Sequence, residues 1–144
     1  TAMEKIPSFQ KNHDMLAVGL HAQTDANGIT TFDLRFKKPN AGDYITPKAL
    51  HTIEHLLATV LRNSREKDNI VYFGPMGCRT GFYLLTLRLS YDEILSLLKE
   101  CIPAALALEE VTGAKREECG NYLEHDLPEA KRELAAYLTV LEAL

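Results

Sequence analysis

"ITTFDLRF", residues 29–36, alternates polar and apolar side chains from Thr31 onward. Phe32, Leu34 and Phe36 point one way and Thr31, Asp33 and Arg35 the other, which is the period of a strand with one buried face. The turn-forming stretch "KKPNAGDY" (37–44) follows it. Thr46 and Pro47 then supply an N-cap and a first-turn proline, opening a helix expected to run to about Asn63. Upstream, "LAVGLHAQ" (16–23) reads as an early strand. Downstream, "IVYFGP" (70–75) and "TGFYLLTLRL" (80–89) read as strands on either side of the turn "GPMGCR". Ser90 and Glu93 form a capping box that starts a helix of about 91–109. Asp126, ahead of Pro128, caps a last helix with Leu134, Tyr137, Leu138 and Leu141 at helical spacing. Strands interrupted by helices through mostly short connections predict an α+β fold, a compact α/β sandwich in which helices pack on an antiparallel sheet.

The chain has 144 residues, which suits one domain spanning 3–144 around a single core. Thr1 and Ala2, ahead of Met3, read as a remnant of expression and stay outside the fold argument. With 46% apolar and 25% charged residues the chain has the composition of an ordinary globule. A net charge of −4 argues against nucleic acid or an anionic membrane as partner. No apolar run approaches the ~20 residues that span a bilayer, and "TAMEKIPSF" lacks the apolar centre of a signal peptide. Cys78, Cys101 and Cys119 are therefore expected as thiols, which points to the cytoplasm.

The helix beginning at Pro47 carries "LHTIEHLLA" (50–58). His51 and His55 lie one turn apart on one face, a spacing that lets two imidazoles share a cation at about 2.0–2.1 Å. Glu54 stands beside them, and Ile53, Leu56, Leu57, Val60 and Leu61 form the stripe that anchors the helix. The order His-x-x-Glu-His is the inverted form of a zinc-protease motif, so an inverted-motif metallopeptidase is one reading. A third ligand is needed, and His125, Cys119 and several carboxylates are candidates. Cys119 is favoured over His125, because "EECGNYLEHD" is a polar loop in which a cysteine has no use as a core filler. Two imidazoles, a thiolate and an open fourth position describe a catalytic site rather than a structural one.

"GPMGCRTGFY" (74–83) sets Cys78 in a glycine-rich turn, where the backbone can approach a ligand closely. Arg79, next in sequence, is the expected partner that favours its thiolate. Cys101 instead falls on the stripe Ile94, Leu97, Leu98, Cys101, Ala105 and Leu108 and reads as core. A metal with an open position, a carboxylate beside it and a separate thiol exceed what hydrolysis requires. Polarisation of a carbonyl, with two side chains moving protons, suits aldose–ketose isomerisation and elimination.

"SFQKNH" (8–13), "ITTFDLRFKKPN" (29–40), "HTIEH" (51–55), "GPMGCRTGFY" (74–83) and "ECGNYLEH" (118–125), in this order, closely resemble the S-ribosylhomocysteine lyase (LuxS) family, which makes the precursor of autoinducer-2. The resemblance covers the chain from Ile6 onward. It implies that His51, His55 and Cys119 hold one divalent metal per subunit, ferrous iron natively and zinc or cobalt in its place. It implies that Glu54 and Cys78 are the general acid/base pair and that Ser8, His13 and Arg35 line the pocket for S-ribosylhomocysteine. It also implies a homodimer with active sites at the interface, the N-terminal segment of one chain completing the other's pocket. The implied reaction moves the sugar carbonyl from C1 to C3 and then eliminates homocysteine, leaving 4,5-dihydroxy-2,3-pentanedione. Two places depart from the pattern of many members. Tyr72 stands where an acidic residue is common, and Phe36 and Lys37 stand where a cysteine often follows the strand arginine.

Overall fold

In a computed structural model that describes residues 3–24 and 27–144, the alternating stretch is an inner strand of a four-stranded sheet. The strands are β1 (Gly19–Thr24), β2 (Ile29–Arg35), β3 (Ile70–Pro75) and β4 (Gly81–Leu87), in the order β1-β2-β4-β3 and antiparallel throughout. The helices are α1 (Pro7–Gln10), α2 (Pro47–Arg62), α3 (Tyr91–Leu106) and α4 (Leu127–Glu142). This is the α+β architecture expected from the sequence. Thr1 and Ala2 lie outside the described residues.

Antiparallel register sets Phe32 opposite Leu84 and Leu34 opposite Phe82, and all four are fully buried. Onto this face α2 delivers Ile53, Leu56, Leu57 and Leu61, α3 delivers Ile94, Leu97, Leu98 and Ile102, and α4 delivers Leu134, Tyr137 and Leu141. Together they make one contiguous apolar cluster that also contains Cys101. Burial pushes the Cys101 thiol up to about 11, as befits a core residue. The helix starts are those the caps predict. Thr46 accepts from the Ala49 amide, Ser90 and Glu93 close a reciprocal box, and Asp126 accepts from the Glu129 amide. Helix α3 stops at Leu106, short of the expected 109: Pro103 removes one amide donor within it, and the Ala107 N–H closes the last turn on Ala105 O and Pro103 O.

The opposite face of β2 differs from expectation. Asp33 and Arg35 are as buried as Leu34 between them, so the strand is covered on both sides at this end. The N-terminal segment supplies the cover. Lys11 Nζ reaches Asp33 Oδ2 at 2.9 Å and stands 5.5 Å from the Tyr83 ring centroid. The residues that depart from the family pattern after Arg35 turn towards α4. Phe36 stacks on Tyr137 with centroids 4.0 Å apart, and Lys37 pairs with Glu133 at 3.0 Å and Asp43 at 3.2 Å. Among the described residues no helix is long and apolar enough to cross a membrane.

The buried Tyr137 hydroxyl donates to Gly19 O at 3.0 Å, tying α4 to the edge strand β1. Tyr137→Phe should lower unfolding stability by about 1 kcal/mol in a urea titration, with an unchanged slope. Wild-type stability would show that this bond does not hold the two together.

Candidate metal centre and thiol pocket

Helix α2 turns its apolar stripe to the core, which leaves His51, Glu54 and His55 half-buried on its other flank. Against that flank lies the connection 107–126, an irregular segment much longer than the usual loop between helices. It supplies what the helix lacks. Glu124 O accepts from His51 Nδ1 at 2.8 Å, and Thr112 O accepts from His55 Nδ1 at 2.8 Å. A carbonyl can only accept, so both imidazoles carry their proton on Nδ1 and present the Nε2 lone pair. Gly113 lets the connection pass close over His55. It has φ +66, and a Cβ there would meet His55 Nδ1 at 3.3 Å.

Cys119, on the same connection, brings Sγ to 3.5 Å from His51 Nε2 and 3.8 Å from His55 Nε2. Around a tetrahedral cation with ordinary Zn–N and Zn–S lengths, the nitrogen-to-sulfur edge is about 3.6 Å. The group therefore has the spacing that a four-coordinate divalent metal needs, and its donors are the types that hold one. His125 joins it, with Nε2 at 3.9 Å from Cys119 Sγ and its ring stacked 4.1 Å from that of His51. The ligand atoms of His51, His55, Cys119 and His125 all lie within 4.8 Å of one another. Burial, and then the neighbouring His51 and His55, lower the His125 pKa from its ordinary value. Cys119 and His125, alternatives by spacing, thus arrive at one point. Glu54 lines a cavity of about 270 Å³ with His51, Pro75 and Asn121. Its carboxylate has no protein partner among the described residues.

The second thiol stands elsewhere. The Arg79 guanidinium turns from Cys78 to donate to Ile45 O at 3.1 Å, so Arg79 is not its partner. The guanidinium at Cys78 belongs to Arg35, whose Nη1 is 4.0 Å from Sγ and donates to Thr80 Oγ1 at 2.7 Å. Thr80 Oγ1 is in turn 3.0 Å from Cys78 Sγ. Arg35 is aimed by Asp33, which accepts from Nε at 3.1 Å and from Nη2 at 2.6 Å, the two-pronged geometry of a strong pair. Register makes this possible. Gly81 pairs with Arg35, and a Cβ on Gly81 would stand 2.2 Å from Leu34 O, so only glycine lets β4 bring Thr80 and Cys78 so close.

Ser8, His13, Arg35, Cys78 and Tyr83 line one cavity of about 460 Å³. Arg35 lies in its wall, with Nε and Nη2 on Asp33, and Nη1 on Thr80 and near Cys78 Sγ. The thiol cavity and the Glu54 cavity share Pro75, and none of the four metal-capable residues lines the thiol cavity. Tyr72 is half-exposed on the outer sheet face beside Ser8 and Tyr83. Asp33, Thr80, Thr112 and the Glu124 carbonyl went unread in the sequence, where a supporting residue carries no spacing signal of its own.

Residues 6–143 match the family model described as S-ribosylhomocysteinase (LuxS). A protein of Phocaeicola vulgatus named S-ribosylhomocysteine lyase is 47% identical over 143 residues, covering 94% of this chain and 89% of that relative. One of the same name from Borreliella afzelii is 44% identical over 147 residues, covering 96% and 93%. Another from Clostridium beijerinckii is 45% identical over 137 residues, covering 90% and 86%.

Arg35→Met leaves the buried Asp33 with Lys11 as its only cationic partner among the described residues and should cost about 3–5 kcal/mol in a urea titration. The double variant Arg35→Met with Asp33→Leu should recover most of that loss. A single-variant loss under about 1 kcal/mol would contradict the coupling.

Proposed function

Because the chain belongs to the S-ribosylhomocysteinase (LuxS) family, we propose that it is a metal-dependent carbon–sulfur lyase acting on S-ribosylhomocysteine. Its products are homocysteine and 4,5-dihydroxy-2,3-pentanedione, the precursor of autoinducer-2. The observation that carries this reading is the convergence of His51, His55 and Cys119 in a chain that also holds a supported thiol, Cys78. An inverted-motif peptidase is not supported: the cluster's extra donor is a thiol where such an enzyme takes a carboxylate, and the second thiol has no work in hydrolysis. Imidazole and thiolate donors suit Fe2+, Zn2+ or Co2+ and not Mg2+ or Ca2+, and ferrous iron is our assignment.

A divalent cation held there supplies Lewis-acid polarisation of the sugar carbonyl. Glu54, beside His51 and without a protein partner, is suited to take and return protons at the sugar carbons. Cys78 is the second proton carrier, with Sγ positioned by Thr80 and Arg35. Ser8 and His13 line the Cys78 cavity and present a hydroxyl and an imidazole to the substrate's polar groups. Each carbonyl shift, from C1 to C2 and from C2 to C3, removes a proton from one carbon and returns one to its neighbour. Removal of the C4 proton then expels sulfur from C5. The leaving sulfur takes a proton as homocysteine, and the enol left behind takes one at C5 to become the dione.

The working form is a homodimer, with residues 3–144 of each chain forming one lyase domain. In support of this, the Glu54 cavity and the Cys78 cavity are separate within one chain, and exposed apolar residues Ile6, Phe9, Tyr72 and Leu123 are left to cover. Facing the thiol cavity of one chain towards the metal cluster of its partner completes two equivalent sites. Three unpaired cysteines suit the reducing cytoplasm.

Cys78→Ala should stay folded and bind metal yet release no homocysteine from S-ribosylhomocysteine. Mixed in equal amounts with inactive Glu54→Gln and allowed to exchange subunits, it should regain about a quarter of wild-type turnover, since half the dimers carry one intact site. Normal turnover by Cys78→Ala would overturn the assignment, and a mixture without activity would overturn the shared site.

A further inference from the structure

A cleft of about 510 Å³ lies between the last turn of α2 and α3, and it is larger than the thiol cavity. It shares no lining residue with the thiol cavity or the Glu54 cavity, so the lyase chemistry leaves it without a use. Its size is that of an ordinary small-molecule site. We propose that this cleft binds an α-amino acid with a large apolar side chain, the charged head at its mouth and the side chain on its floor. The proposal goes beyond the lyase reading and does not depend on it.

The floor is made by Val60, Cys101, Ala104 and Leu108. Val60 and Leu108 are only half-buried and Ala104 is exposed, so apolar surface faces water here until something covers it. Cys101 adds a sulfur to the inner wall. Its thiol, pushed up to about 11 by burial, is protonated at neutral pH and behaves as an apolar group that packs well against an aromatic ring.

The uncharged polar groups of the lining are turned back onto α2. Thr59 Oγ1 donates to His55 O, Asn63 Nδ2 to Thr59 O and Ser64 Oγ to Leu61 O, each at 2.7 Å. Arg65 and Glu100 are the charged residues of the lining, one just beyond α2 and the other on α3. They face each other with Nε 3.0 Å from Oε2 and Nη2 3.4 Å from Oε1, while Glu66 takes Nη1 at 3.1 Å.

A positive and a negative group side by side, at the edge of an apolar floor, set a narrow requirement. A simple anion would meet Glu100 and a simple cation would meet Arg65, each with a repulsion to offset its attraction. An α-amino acid carries both charges on neighbouring atoms, with the carboxylate for the guanidinium and the ammonium for the carboxylate. Its side chain then points from the head towards Ala104 and Leu108. The side chains of Arg65 and Glu100 are about half-exposed, and an exposed pair of this kind contributes little, so opening it to admit a zwitterion costs little.

The chain has no tryptophan, so the fluorescence of L-tryptophan itself reports its binding to the whole protein. Saturable binding of one L-tryptophan per chain is expected. Tryptamine, which lacks the carboxylate, and indole-3-propionate, which lacks the ammonium, should each bind at least about 5-fold more weakly. Arg65→Met should erase the preference over tryptamine, and Glu100→Gln the preference over indole-3-propionate. Ala104→Phe fills the cleft from an exposed position and should abolish binding without changing the urea midpoint. No saturable binding to the wild type, equal binding of the three indoles, or unchanged preferences in both charge variants would overturn the proposal. None of these outcomes bears on homocysteine release, which tests the lyase reading separately.

Discussion

The docking of the connection 107–126 onto α2 is the contact on which the rest depends. A helix can space two histidines one turn apart, but it cannot choose which ring nitrogen carries the proton. Thr112 O and Glu124 O make that choice for His55 and His51, and the same connection carries Cys119 and His125 to the place the lone pairs face. Hydrogen bonds of 2.8 Å from the two imidazoles to backbone carbonyls are modest in free energy. Their value lies in orientation, because a rotated ring would present an N–H to the metal instead of a lone pair.

A second constraint governs the thiol. Arg35 is a full charge inside the protein, a costly arrangement unless every donor is met. Asp33 takes Nε and Nη2, Thr80 takes Nη1, Lys11 shares Asp33, and the glycine at 81 lets the strands close around the pair. The outcome is a rigid seat for Cys78 on the sheet face opposite the packed helices. The Cys78 cavity and the Glu54 cavity share only Pro75 among their lining residues, and the homodimer proposed above is the arrangement that would join them.

The sequence was most legible where a period or a cap decides the structure. Thr46-Pro47, Ser90 with Glu93, and Asp126 each start the helix they announce, and the alternation of 29–36 gives β2 its inner face. It was least legible where distant segments meet. The polar side of β2 read as solvent-facing because nothing local shows that Lys11 and the N-terminal segment cover it. Arg79 read as the partner of Cys78 because it is adjacent in sequence, while cross-strand register gives that place to Arg35. Cys119 and His125 read as rivals because spacing along a loop does not say that both ends fold back to one point.

The central claim is that cleavage of the thioether requires a metal at the His51, His55 and Cys119 cluster. It is tested most directly on one anaerobic preparation, by elemental analysis and homocysteine release from S-ribosylhomocysteine before and after chelation. The account predicts close to one iron per chain with turnover, loss of both on chelation, and recovery of turnover when Fe2+ or Co2+ is restored. Full turnover by protein stripped of metal would contradict it.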